Sequence, residues 1–77
     1  MMSQVHYHIA HRLKTRRSEM NMALSTLARE TQQPVELLKD YEAGLRPVGV
    51  DVLMRVSAAL DTPLRYFFET GETDPGR

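Results

Sequence analysis

Cysteine is absent from this 77-residue chain, which excludes disulfides and thiolate metal sites alike. Long apolar runs are absent too. No stretch approaches the ~20 residues that span a bilayer, so no membrane partner is expected. The N-terminus is polar and His-rich rather than patterned like a secretory leader, and a cytoplasmic location follows as the expectation. Neither charge is in excess, because ten basic and ten acidic residues cancel. A protein held to nucleic acid by bulk attraction would be more basic, so composition permits DNA binding without arguing for it. There is no Gly-rich phosphate loop, and Ser18, Ser25 and Ser57 have no base at helical spacing. The chain therefore reads as no enzyme, with no cofactor implied.

What is present is ordinary globular composition, 42% hydrophobic and 26% charged. One domain is expected over residues 1–70. Residues 71–77 hold no large apolar side chain and read as a flexible tail. No separate effector domain is expected at this length, and any signal is expected to act through a partner, a dimer equilibrium or protein abundance.

Apolar residues recur at helical rather than strand spacing, which predicts an all-α fold. Val5, Ile9 and Leu13 mark a first helix over roughly 5–19, with a basic opposite face. Leu24, Leu27 and Ala28 mark a second helix that stops near Thr31. Pro34 suits the first turn of a third, where its missing N–H has no intrahelical partner anyway. That helix turns Leu38 and Tyr41 inward and stops at Gly44. Leu53, Val56 and Leu60 mark the fourth. Thr62 and Pro63 start a fifth, carrying Leu64, Phe67 and Phe68. Five short helices are expected to cluster around one core.

Leu24–Glu42 is the informative stretch. Two helices crossing around a tight turn need a small residue at their closest approach, supplied by Ala28. They need apolar wedges from both sides, supplied by Leu27, Leu38 and Tyr41. The turn needs a residue in the left-handed region, ordinarily glycine; here Gln32 takes that position at some conformational cost.

The ordered set Ile9-Ala10-x-Arg12-Leu13, Leu27-Ala28, Tyr41-Glu42-x-Gly44, Leu53, Val56, Leu60 and Phe67-Phe68 resembles the lambda-repressor-like, Cro/xenobiotic-response-element family of helix-turn-helix proteins. The likeness covers about Ile9 to Phe68, and its last third resembles bacterial regulators that end in an aromatic fifth helix. It implies a five-helix DNA-binding domain with the helix-turn-helix in helices two and three. It further implies that Arg12 and Glu42 form a structural ion pair. Gln33, Val35, Glu36, Lys39 and Asp40 would face base edges of double-stranded DNA. Lys14 or Arg17, Arg46 and the Gly44 amide would touch phosphate.

Two departures accompany the likeness. Family members usually open helix two with Ser-Gln, where this chain has Ala23-Leu24, so both a cap and a phosphate contact are missing. Pro34 stands where a small polar residue usually opens helix three, and it has no N–H for phosphate. The third helix offers one cation, Lys39, among Glu36, Asp40 and Glu42. Glu36 and Asp40 can accept from cytosine amino groups, but carboxylates also repel nearby phosphates.

His8 and His11 lie three apart on one helix face, as a two-histidine metal site requires, with His6 nearby. No cysteine or well-placed carboxylate completes the set, so no metal is expected. Tyr66, Phe67 and Phe68 cannot all enter so small a core, and this cluster is expected to form a homodimer interface. The leading expectation is a homodimeric, sequence-specific transcriptional regulator. The alternative is a protein-interaction module of the same fold, an antirepressor or antitoxin-like partner, motivated by the acidic third helix and zero net charge.

Overall fold

A computed structural model describes residues 4–69, folded into α1 (Gln4–Glu19), α2 (Leu24–Thr31), α3 (Val35–Glu42), α4 (Val50–Ala59) and a 3₁₀ turn (Leu64–Phe68). No strand occurs among the described residues. The tail expected over 71–77 lies outside them.

Each α-helix ends in the same way. A residue with positive φ follows it: Asn21 at 55°, Gln32 at 59°, Gly44 at 74° and Asp61 at 49°. Around each, two backbone bonds run back into the last turn. Asn21 and Met22 donate to Ser18 and Arg17, Gln32 and Gln33 to Arg29 and Ala28. Gly44 and Leu45 donate to Tyr41 and Asp40, Asp61 and Thr62 to Ala58 and Ser57, all between 2.9 and 3.2 Å. This is the Schellman closure, which satisfies the last carbonyls of a helix and reverses the chain. It lets eight- and ten-residue helices follow one another with only a few linking residues. The sequence expectation of a left-handed Gln32 is met.

The core is one cluster. Ile9 and Leu13 of α1 meet Leu27 and Ala28 of α2 and Leu38 and Tyr41 of α3. Val52, Leu53, Val56 and Leu60 close it from α4, with Phe67 from the 3₁₀ turn. Val5 does not join, standing 54% exposed. Each residue advances about 100° around the helix, so two steps of four rotate Val5 about 80° away from Leu13. The expected inward stripe therefore loses its first member.

The expected fifth helix is a 3₁₀ turn of five residues, so the described residues form four α-helices. Pro63 precedes it and the chain is again extended at Glu69, which leaves too little length for an α-helix to build on its first turn. Thr62 does not cap it. Its hydroxyl donates back to the Leu60 carbonyl and accepts from Arg16.

Three side chains spaced four apart on α1 fasten this C-terminal segment. His8 Nε2 bonds the Glu69 carbonyl, the Arg12 guanidinium lies 4.5 Å over the Tyr66 ring, and Arg16 Nε donates to Thr62 Oγ1 at 2.8 Å. Successive turns of one helix face thus meet successive turns of the segment 62–69.

Candidate nucleic-acid interface

The segment expected to form a helix-turn-helix comprises α2, the connection Gln32–Pro34, and α3. Leu27 and Ala28 face Leu38 and Tyr41 within the core, as the sequence predicts. Thr31 is buried at the end of α2 and donates its hydroxyl to the Leu27 carbonyl at 2.7 Å. Its own carbonyl accepts from Gln33 Nε2 and from Arg55 Nη1, each at 3.3 Å. Arg55 belongs to α4, so the turn is pinned from a third helix; nothing in the sequence pattern marked that residue.

Since Leu38 and Tyr41 are fixed inward, the helical period turns Val35, Glu36 and Lys39 outward, with Asp40 half-buried beside them. Gln33 sits just ahead, tied to the turn. Four of the five residues assigned to base edges thus share the outer side of one short helix.

Its charges are paired. Glu36 Oε1 lies 3.8 Å from Lys39 Nζ, and Arg46 Nε lies 3.6 Å from Asp40 Oδ2. Neither α2 nor α3 has a side-chain cap, because Ala23 and Pro34 occupy those positions. Lys14 and Arg29, by contrast, are exposed and meet no acid among the described residues.

Four assignments change. The ion pair that joins α1 to the end of α3 is made by Arg17, not Arg12. Arg17 Nε lies 2.6 Å from Glu42 Oε2 and Nη2 3.0 Å from Oε1, with Nη1 on the Met22 carbonyl at 2.7 Å. From α1, Arg17 reaches Glu42 at the end of α3 and Tyr7 covers Gly44 just beyond it. Arg12 lies about 140° around from Arg17 and goes to Tyr66 instead. Ala10, small and buried, lies on the same side of α1 as Arg17 by the helical period and was the signal that could have placed this face.

Arg17 therefore leaves the set of phosphate contacts, since its guanidinium nitrogens are engaged inside the protein. Its pKa is raised above the usual value, chiefly by the hydrogen bond to Glu42 and further by that carboxylate's charge, while burial pulls the other way. The Gly44 amide leaves too. It donates to Tyr41, and the residue is buried under the Tyr7 ring, whose Cδ1 would stand 2.7 Å from an added Cβ. Finally, Phe67 is wholly buried and packs edge-on against Tyr66 at 5.2 Å, so it belongs to the core rather than to an interface. Phe68 is 48% exposed, with Leu64 exposed four residues before it.

No family model matches the chain. Over 69 residues it is 29% identical to uncharacterised HTH-type transcriptional regulators of Sinorhizobium medicae and of Rhizobium meliloti, matching 90% of this chain and 50% of each of theirs. Over 62 residues it is 34% identical to another such regulator, of Sinorhizobium fredii, matching 80% of this chain and 43% of that one. The chain spans about half the length of the curated relatives it matches. These distant homologies support a helix-turn-helix family, in keeping with the all-helical architecture. No helix among the described residues is long and apolar enough to cross a membrane.

Proposed function

We propose, from the homology to HTH-type transcriptional regulators, that this chain is a lambda-repressor-like DNA-binding domain that recognises a specific double-stranded site as a cytoplasmic homodimer. The observation that carries the reading is the arrangement of α3. Leu38 and Tyr41 anchor it to α2 and α1, and Val35, Glu36, Lys39 and Asp40 stand together on the outer side. A recognition helix needs that division between a fixed inner face and a free outer one. Phosphate contacts from Lys14 and Arg46 would set the register, and Gln33 with Val35, Glu36 and Lys39 would choose bases. Two copies pairing through Phe68, Leu64 and the open side of Tyr66 would place two such helices about 34 Å apart, one turn of DNA. The domain does no chemistry in this reading.

A second reading is favoured by one observation: both cations beside α3, Lys39 and Arg46, are already paired with carboxylates. That suits a protein-docking face of the same fold. Gel-shift titration against random duplexes at two salt concentrations tests the choice. A salt-sensitive shift that sharpens on a selected sequence supports the regulator; no shift at low salt transfers the face to a protein partner.

A further inference from the structure

The Glu36–Lys39 pair is the most exposed charged feature of the proposed recognition helix, with side chains 80% and 61% accessible. The two residues are three apart on α3, and their charged atoms are 3.8 Å apart. A phosphate is a poor ligand for such a pair. It presents acceptors only, so Lys39 cannot approach it without carrying a carboxylate into the same negative field.

A base-pair edge is different, because it sets a donor beside acceptors. In the major groove a G·C pair shows guanine N7, guanine O6 and cytosine N4–H₂ in order: acceptor, acceptor, donor. O6 and N4 are themselves hydrogen-bonded, hence about 2.9 Å apart. An ammonium and a carboxylate held close together match this order, with Lys39 spanning N7 and O6 while Glu36 accepts from N4. An A·T pair offers acceptor, donor, acceptor and then a methyl group. Glu36 could take the adenine amino group there, but Lys39 would keep one acceptor instead of two adjacent ones.

Resting on the regulator reading above, we infer that Glu36 and Lys39 act as one unit that reads a single G·C base pair in each half-site, the carboxylate on cytosine and the ammonium on guanine. Asp40 and Arg46 do not compete for that pair. Arg46 lies outside α3 in the following loop, where Asp40 holds it.

The test is selection of bound duplexes from a randomised pool by the full chain, by Glu36→Gln and by Lys39→Ala, followed by titration of the selected sites. Both side chains are exposed, so unchanged thermal melting is expected of each variant, and Glu36→Ala stands in if glutamine disturbs the helix. The native chain should select G·C at one position and lose about tenfold or more in affinity when that pair is replaced. Glutamine pairs naturally with adenine N6 and N7, so Glu36→Gln should move that same position toward A·T. Lys39→Ala should flatten preference there and leave the others intact. Changes at two different positions, or a uniform loss across all sequences, would overturn the proposal. A selected consensus with no G·C pair sensitive to either variant also overturns it while leaving the regulator reading standing. No binding to any duplex at low salt removes both.

Discussion

Arg17 and Glu42 meet side-on, guanidinium to carboxylate through two nitrogens and two oxygens at 2.6 and 3.0 Å, and so tie α1 to the end of α3. Their side chains are only 16% and 7% accessible. A buried pair of this kind adds little net stability over an apolar substitute, yet breaking it strands a charge. Glu42→Ala is expected to destabilise the fold by about 3 kcal/mol. A double replacement, Arg17→Met with Glu42→Leu, should recover most of that loss. Denaturant melts of the three proteins check this; a double variant no better than Glu42→Ala would show that something besides the stranded charge sets the cost. Arg17 also bears on pH. Its pKa is raised on folding, so its contribution is fully present below the unfolded value and is lost only in strongly alkaline solution. The Arg17 contribution should not change stability between about pH 6 and 9.

The helix terminations make a graded prediction. A side chain in the left-handed region costs about 1–2 kcal/mol, Asn and Asp tolerating it best. Glycine removes the cost but loses roughly 0.5–1 kcal/mol to its freer unfolded chain. Gln32→Gly should therefore stabilise by about 0.5–1 kcal/mol, raising the melting midpoint by a few degrees, whereas Asn21→Gly should be near neutral. Gly44→Ala should destabilise by at least 1–2 kcal/mol, roughly the left-handed cost alone, because its Cβ also meets the Tyr7 ring. Equal effects of the two glycine substitutions would mean that side-chain identity does not set this cost.

The terminations at Gln32 and Gly44 were legible because punctuation and helical period act locally. Leu27, Ala28, Leu38 and Tyr41 were legible for the same reason: a face repeating every 3.6 residues has to be buried. Partner choice across helices was not. Arg12 and Arg17 are both cations on one helix, and only packing decides which reaches Glu42. The ladder from His8, Arg12 and Arg16 to the segment 62–69 was hidden because that segment is built around a short 3₁₀ turn, whose spacing does not repeat that of α1. Phe67 and Phe68 are adjacent and alike in sequence. Which of them fills the core depends on the phase of that turn.

Phe67 and Phe68 separate folding from assembly. Phe67 has no exposed surface, so Phe67→Asp should abolish cooperative folding by placing an unpaired charge in the core. Phe68→Asp should leave the melting transition in place and shift a self-associating chain toward monomer in sedimentation velocity. It should weaken binding to a two-half-site duplex more than to a single half-site. If Phe68→Asp sediments like the native chain across concentration, the C-terminal turn is not the dimer contact.

Arg46 and Asp40 divide the electrostatics of binding between them. A cation on phosphate displaces condensed counterions, and each such contact adds about 0.9 to the slope of log affinity against log salt. Arg46→Ala is expected to weaken all sequences alike and to lower that slope by about one, with Lys14→Ala acting in the same direction. Asp40 opposes this, for its carboxylate lies 3.6 Å from Arg46 and accompanies it to the DNA. In the free protein the pair is solvent-exposed and worth ~0–1 kcal/mol, so neutralising Asp40 should scarcely affect stability. Near phosphate the balance reverses, since a carboxylate there repels the backbone and retains cations that would otherwise be released. Asp40→Asn should therefore tighten binding to every duplex, steepen the salt slope by less than one contact, and leave base preferences as they are. Filter-binding isotherms at four or five salt concentrations give both quantities. Weaker binding by Asp40→Asn, confined to one base position, would instead make Asp40 a reader of bases rather than a brake on phosphate attraction.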